Sequence, residues 1–198
     1  GIFWLIFLGT VVLFVNLCMG EITLRTKENH QLPGHAKKHL GPLAGKIMLF
    51  ALVFGIYSTL LAYLVGEGES LSRLLPGNIN PIFLGIGFWL IMTLLLKEGL
   101  RALKKVETYG VIAIILIILG MFIKFFPRIE PANLLIINEP NFTLPIGVVL
   151  FALLGFASIP ELRKEIKGNE KYFKKAIILG SIIPIILYII FSAIFIGV

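Results

Sequence analysis

Six apolar stretches, at residues 2–20, 47–66, 81–96, 109–126, 142–160 and 176–198, dictate what this chain can fold into. A helix of about 17 to 25 apolar residues crosses about 30 Å of hydrocarbon, and these runs have that length, the third being short. In lipid every backbone N–H and C=O must be satisfied within the protein, so each run is predicted to be an α-helix. Buried core helices of a water-soluble domain would need a polar covering. With 58% hydrophobic and 15% charged residues and a mean hydropathy of +0.96, the chain has too little polar sequence to supply one. The expected fold is all-α, a polytopic helical membrane protein with six spans.

The connecting segments set the orientation. Those after spans one, three and five hold five, four and six of the 18 basic residues, among them Lys37, Lys104 and Lys171. The other side keeps Arg73, Lys124 and Arg128 beside Glu67, Glu69, Glu130 and Glu139. Short cytoplasmic loops carry the excess of Lys and Arg, so the odd-numbered loops are expected inside. Lys124 near the end of span four can extend its ammonium to the headgroups. The net charge of +7 is accounted for by this alternation and not by a nucleic-acid-binding face. With loop one inside, Gly1 begins outside without a signal peptide or initiator methionine. The sequence is therefore expected to be an incomplete part of one transmembrane domain.

Span five carries the most informative pattern, T-L-P-I-G-V-V-L-F-A-L-L-G-F-A-S-I-P-E-L over residues 143–162. Pro160 lacks an N–H and disfavours a helical carbonyl at Phe156, while Gly155 tolerates most backbone conformations. An interrupted helix over residues 154–158 is one reading, since unwound backbone lining a cavity can bind a zwitterion or an ion. A proline kink beside a glycine helix contact is the other. In span two, Ala51, Gly55, Ser58, Thr59, Ala62 and Gly66 fall on one face, expected to pack against a helix or a cavity, with Tyr63 flanking it. Tyr63 reads either as an interfacial aromatic or as a cavity residue.

Several other residues carry less. His30, His35 and His39 share a basic loop expected to be solvated, and a metal site there is not favoured. Glu21 and Glu98 sit at cytoplasmic span ends, hydrated or paired with Arg25 or Arg101, with proton coupling as the alternative. Gly180 and Pro184 mark a kink in span six. Asn141-Phe142-Thr143 matches a glycosylation acceptor that abuts the membrane.

A membrane-embedded enzyme is the alternative class, and the residues speak against it. There is no His-Glu-x-x-His, no aspartate at all, and no Ser/His or Cys/His constellation within the spans. Cys18 is the only cysteine, so neither an internal disulfide nor a structural zinc is expected, and no cofactor is implied. A non-catalytic membrane scaffold would bind no ligand.

Two stretches carry a resemblance to a known family. L-L-A-Y-L-V-G-E-G at residues 60–68 resembles the end of the third helix in the amino-acid permease branch of the amino acid/polyamine/organocation superfamily, which includes tyrosine and tryptophan permeases. Residues 151–197, with G-F-A-S-I-P-E-L, a basic loop, G-S-I-I-P-I-I-L-Y and a final G-V, are similar to that branch's sixth and seventh helices. The resemblance implies that the six spans correspond to helices two to seven of a ten-helix inverted-repeat core, discontinuous at 142–160. It implies a secondary active transporter of amino acids, not an enzyme, working by alternating access coupled to Na⁺ or H⁺ in the cell membrane. Its partners would be an amino-acid substrate and the bilayer, with no nucleic acid. The substrate contacts carried over are Leu154, Gly155, Phe156, Ala157 and Ser158, with Tyr63 as a further cavity-side residue.

Overall fold

The computed structural model describes the chain except Lys27, Asn29, Asn78, Glu98, Gly99, residues 135–140 and Lys167, and omits the side chains of residues 100–105. Glu98 and Glu139 therefore lie outside the described residues. The helices are α1 (Ile2–Arg25), α2 (Leu32–Leu40), α3 (Pro42–Leu74), α4 (Pro81–Lys97), α5 (Leu100–Phe125), α6 (Pro131–Leu134), α7 (Pro145–Leu153), α8 (Ile159–Glu165) and α9 (Phe173–Gly197). Among the described residues five segments are long and apolar enough to cross a membrane: Ile2–Arg25, Pro42–Leu74, Val106–Arg128, Pro145–Glu165 and Glu170–Gly197. The third expected span is α4, a 17-residue apolar helix. At 1.5 Å per residue it is about 25 Å long, a few Å short of the hydrocarbon thickness.

The chain forms two compact units. One comprises residues 46–113. Its α4 starts on a built N-cap: Pro81 needs no N–H donor at the first helical position, and Asn80 Oδ1 accepts the Ile82 N–H at 3.0 Å. Here α3 and α4 meet backbone to backbone. A Cβ at Gly85 would lie 2.9 Å from the Leu64 carbonyl oxygen, and one at Gly68 would fall inside contact distance of the Pro81 carbonyl. The stripe expected to make the close contact is not where it occurs. Gly55 and Gly66 have open space around them, and Ala51, Ser58 and Ala62 are exposed in this chain.

The other unit comprises residues 1–45 and 114–198. In it α1 and α9 run antiparallel, because Gly9 packs on Ile185, Asn16 bonds to Ser181 and Gly20 packs on Ile177. Against this pair α7 and α8 run parallel to α1: Leu5 and Leu8 pack with Val149 and Leu153, and farther along α1 the Thr23 carbonyl meets Arg163. Apolar contact gives little drive between helices in lipid, so the glycines that admit close approach are what hold such a pair. The arrangement brings Arg25, Arg163 and Lys174 to one end of the unit. At the opposite end Trp4 Nε1 donates to the Phe142 carbonyl at 2.6 Å within a cluster of Phe3, Trp4 and Phe142.

The segment read from sequence as a solvated histidine loop forms α2. Gly41, at φ +95°, closes it in a conformation that favours glycine and lets Pro42 start α3. Arg163 Nη1 donates to the carbonyls of Thr23 and, at 2.7 Å, Thr26, which satisfies the C-terminal carbonyls of α1. Gln31 reaches Glu161 at 3.2 Å, and Thr26 Oγ1 and His39 Nε2 are 3.2 Å apart. Glu28, exposed, meets His30 at 2.8 Å and Lys38 at 3.5 Å; the His30 hydrogen bond first, then Lys38, hold its carboxyl below the usual range. Glu21 pairs with Arg25 at 2.6 Å.

His35 is the exception to this solvated polarity. Only 4% of it is exposed, between the rings of His30 and His39, and neither of its ring nitrogens has a hydrogen-bond partner among the described residues. Burial pushes its pKa below the ordinary value, with His30, His39 and Arg163 acting in the same direction. The undocked helix therefore binds the proton better than the docked one. Docking of α2 is intact above an ordinary histidine pKa of about 6.5 and weakens as pH falls through the depressed value. A nitroxide at Leu40→Cys in a Cys18→Ser background should become more mobile between about pH 7.5 and 5.5. His35→Leu should abolish that change.

Candidate functional site

The helix that begins at Pro145 ends at Leu153. Leu154 turns extended, at φ −63° and ψ 106°, and Gly155 follows at φ −139° and ψ −6°. A 3₁₀ turn, Phe156–Ser158, leads into α8. A continuous α-helix would pair each N–H with the carbonyl four residues back. Here the Leu154 N–H reaches Phe151 at 3.5 Å and the Ser158 N–H reaches Gly155 at 3.0 Å, both three residues back. The backbone is therefore interrupted at residues 154–155, at the near end of the stretch expected from sequence. Pro160 acts differently from expectation: it lies in the first turn of α8, where its missing N–H is no loss. The kinked-helix reading also required Gly155 to be a packing contact. A Cβ there meets nothing nearer than the Leu153 carbonyl oxygen at 3.9 Å, so it makes no such contact among the described residues.

Gly155 and Ser158 open onto a cavity of about 330 Å³ whose other walls come from α1 and α9, through Asn16, Gly180 and Ser181. The remaining lining residues are aliphatic, and none carries a charge. Of the other residues expected to contact substrate, Leu154 is 59% exposed, Ala157 is exposed and Phe156 packs against Ile159, Phe173 and Ile177; none of the three lines this cavity. Tyr63 lies in the other unit, on α3, and is 54% exposed. Of the six residues, Gly155 and Ser158 line this cavity.

Asn16 and Ser181 were not singled out by sequence. Asn16 Nδ2 donates to Ser181 Oγ at 3.1 Å across α1 and α9, and Asn16 Oδ1, fully buried, has no partner among the described residues. Such an orphaned acceptor costs about 1 to 3 kcal/mol. One signal was available: Asn16 is the one amide side chain in the apolar run 2–20. An amide at that depth in a membrane is expensive unless it bonds across helices, as Asn16 does to Ser181.

An uncharged cavity with an interrupted backbone on one wall and the hydroxyl-bearing Ser158 and Ser181 in its lining can hydrogen-bond a small polar or zwitterionic molecule. Among the described residues no group of histidines, cysteines or carboxylates is placed to hold a metal ion.

The model of the tryptophan/tyrosine permease family matches residues 1–198. The chain is also similar to the tyrosine-specific transport system 1 of Haemophilus influenzae, at 25% identity over 195 residues. That match covers 96% of the chain and 46% of the relative, so the chain spans about half the length of the curated relative it matches. No solved structure matches it.

Proposed function

The chain belongs to the tryptophan/tyrosine permease family, and from that premise we propose that the protein carries aromatic amino acids across the cell membrane by ion-coupled alternating access. The observation that carries the reading is the interruption at Leu154–Gly155 beside an uncharged polar cavity. Free backbone groups there offer a zwitterion hydrogen bonds without burying a counter-charge, which is how a membrane protein can hold an amino acid at low cost. The substrate contacts are Gly155 and Ser158 in the cavity, with Leu154, Phe156 and Ala157 on the same interrupted segment; Tyr63 is a further candidate on the resemblance alone. The fold belongs to the amino acid/polyamine/organocation superfamily, with six spans here forming part of a ten-helix inverted-repeat core. The third span is α4, whose shortness the bilayer meets by local thinning. The loops after spans one, three and five face the cytoplasm, a reading supported for the first and last of them by the common end reached by Arg25, Arg163 and Lys174. The family implies transport and not catalysis, and no cofactor; the coupling ion is Na⁺ or H⁺.

The test is uptake by the full-length protein in proteoliposomes. Tyrosine or tryptophan should accumulate above the external concentration when a sodium or proton gradient is imposed, and the accumulation should collapse with the gradient. Protein that is folded and oriented but moves neither amino acid under either gradient would refute the reading.

A further inference from the structure

We propose that the groove between α1 and α9 beside Lys174 holds an anionic phospholipid, its acyl chain on the apolar floor and its phosphate at the Lys174 ammonium. The inference rests on membrane embedding alone and is independent of what the protein carries. The groove measures about 280 Å³ and shares only Ile177 with the cavity at Gly155. That is just below the range of about 300 to 1,000 Å³ that takes a whole small ligand, so it suits one end of a longer amphiphile. Leu17, Leu24, Phe173 and Ile177 make its floor, and the exposed Glu21 and Lys174 make its charged edge. The charges on that edge do not cancel. Glu21 is engaged by Arg25 at 2.6 Å, whereas Lys174 has no ion pair among the described residues and no acidic residue in the first turn of its own helix. One positive charge is left at the mouth of an apolar groove, and an anionic headgroup above an acyl chain complements both. A zwitterionic headgroup would bring a second cation to an edge whose carboxylate is already paired. The depth agrees with a lipid: Glu21 lies about 25 Å from Trp4 along α1 at 1.5 Å per residue, so with Trp4 at one interface the charged edge reaches the headgroups of the other leaflet.

Cys18 lines the same groove and is exposed, so its alkylation reports occupancy. Delipidated full-length protein in a nonionic detergent is titrated with dioctanoyl phosphatidylglycerol, and modification by N-ethylmaleimide is read by mass spectrometry on the peptide that carries Cys18. Saturating lipid should slow the reaction at least fivefold, and dioctanoyl phosphatidylcholine should need at least a fivefold higher concentration for the same protection. Lys174→Gln should raise the half-protecting concentration of phosphatidylglycerol about fivefold, the worth of one basic residue at an anionic membrane surface, and leave that of phosphatidylcholine unchanged. Absence of protection, equal protection by the two lipids, or unchanged phosphatidylglycerol protection in folded Lys174→Gln would overturn the inference. If Lys174→Gln does not fold, Glu21→Gln serves: removing the carboxylate from the edge should lower the half-protecting concentration of phosphatidylglycerol, and no lowering would contradict the inference. Protection by glycerol 1-phosphate equal to that by the lipid would make this a site for a free anion, and would overturn it. So would a Cys18 that resists alkylation in the delipidated protein until denaturant is added, which would show that another part of the protein covers the groove.

Discussion

Gly155→Val should lower substrate affinity by about a hundredfold, about 2.8 kcal/mol at tenfold per 1.4 kcal/mol, and leave the fold nearly unchanged. The asymmetry follows from where the glycine sits. A Cβ at Gly155 meets only ordinary contact distance, at 3.9 Å, so the helices have nothing to move aside for. The two γ-methyls of valine would then occupy the space beside the interrupted backbone, on the wall that Gly155 shares with Ser158. Thermal unfolding and equilibrium binding on the same purified variant check both halves. A destabilised variant with wild-type affinity would remove Gly155 from the site.

Gly68→Val has the opposite signature. There the neighbour is the Pro81 carbonyl, which belongs to a backbone and cannot rotate away, and Gly85 brings the reciprocal surface to 2.9 Å of the Leu64 carbonyl. Admitting a side chain forces α3 and α4 apart, at about 3 kcal/mol or more by analogy with overpacked cores. The apparent melting temperature should drop by several degrees. Gly55→Val, on the same helix but with nothing within 4 Å of its Cβ, is the control and should cost little. Equal stability of the two variants would show that the α3–α4 contact does not hold the pair together.

These two glycines also mark what the sequence could and could not reveal. Long apolar runs identify helices through composition alone, so α1, α3, α5 and α9 lie where expected. Their ends do not: α3 continues to Leu74, eight residues past the apolar run, because Glu67, Glu69 and Ser70 favour helix or tolerate it once outside hydrocarbon. The interruption in the fifth span was legible because Gly155 and Pro160 both relax the demand for a continuous helix. Which of them marks the break was not legible, since a proline can sit as well in a first turn as at a kink. The small-residue stripe on α3 was real as a pattern, yet the close contact with α4 is made at Gly68, two residues past Gly66 and off that stripe, where the facing helix presents its own glycine. Nor could a polar nine-residue α2 be read from propensity when His35 is buried between His30 and His39. Asn16 and Ser181 lie 165 residues apart, and nothing local in either announces the other.

Substrate protection of a thiol at Ser158 tests the central claim most directly. Ser158→Cys in a Cys18→Ser background of the full-length protein puts one small reporter on the wall of the cavity, with the other cysteine of the described chain removed. The account predicts that saturating tyrosine or tryptophan slows alkylation by a membrane-permeant maleimide at least fivefold, while lysine does not. Alkylation at the same rate with and without substrate, in protein that still transports, would contradict it.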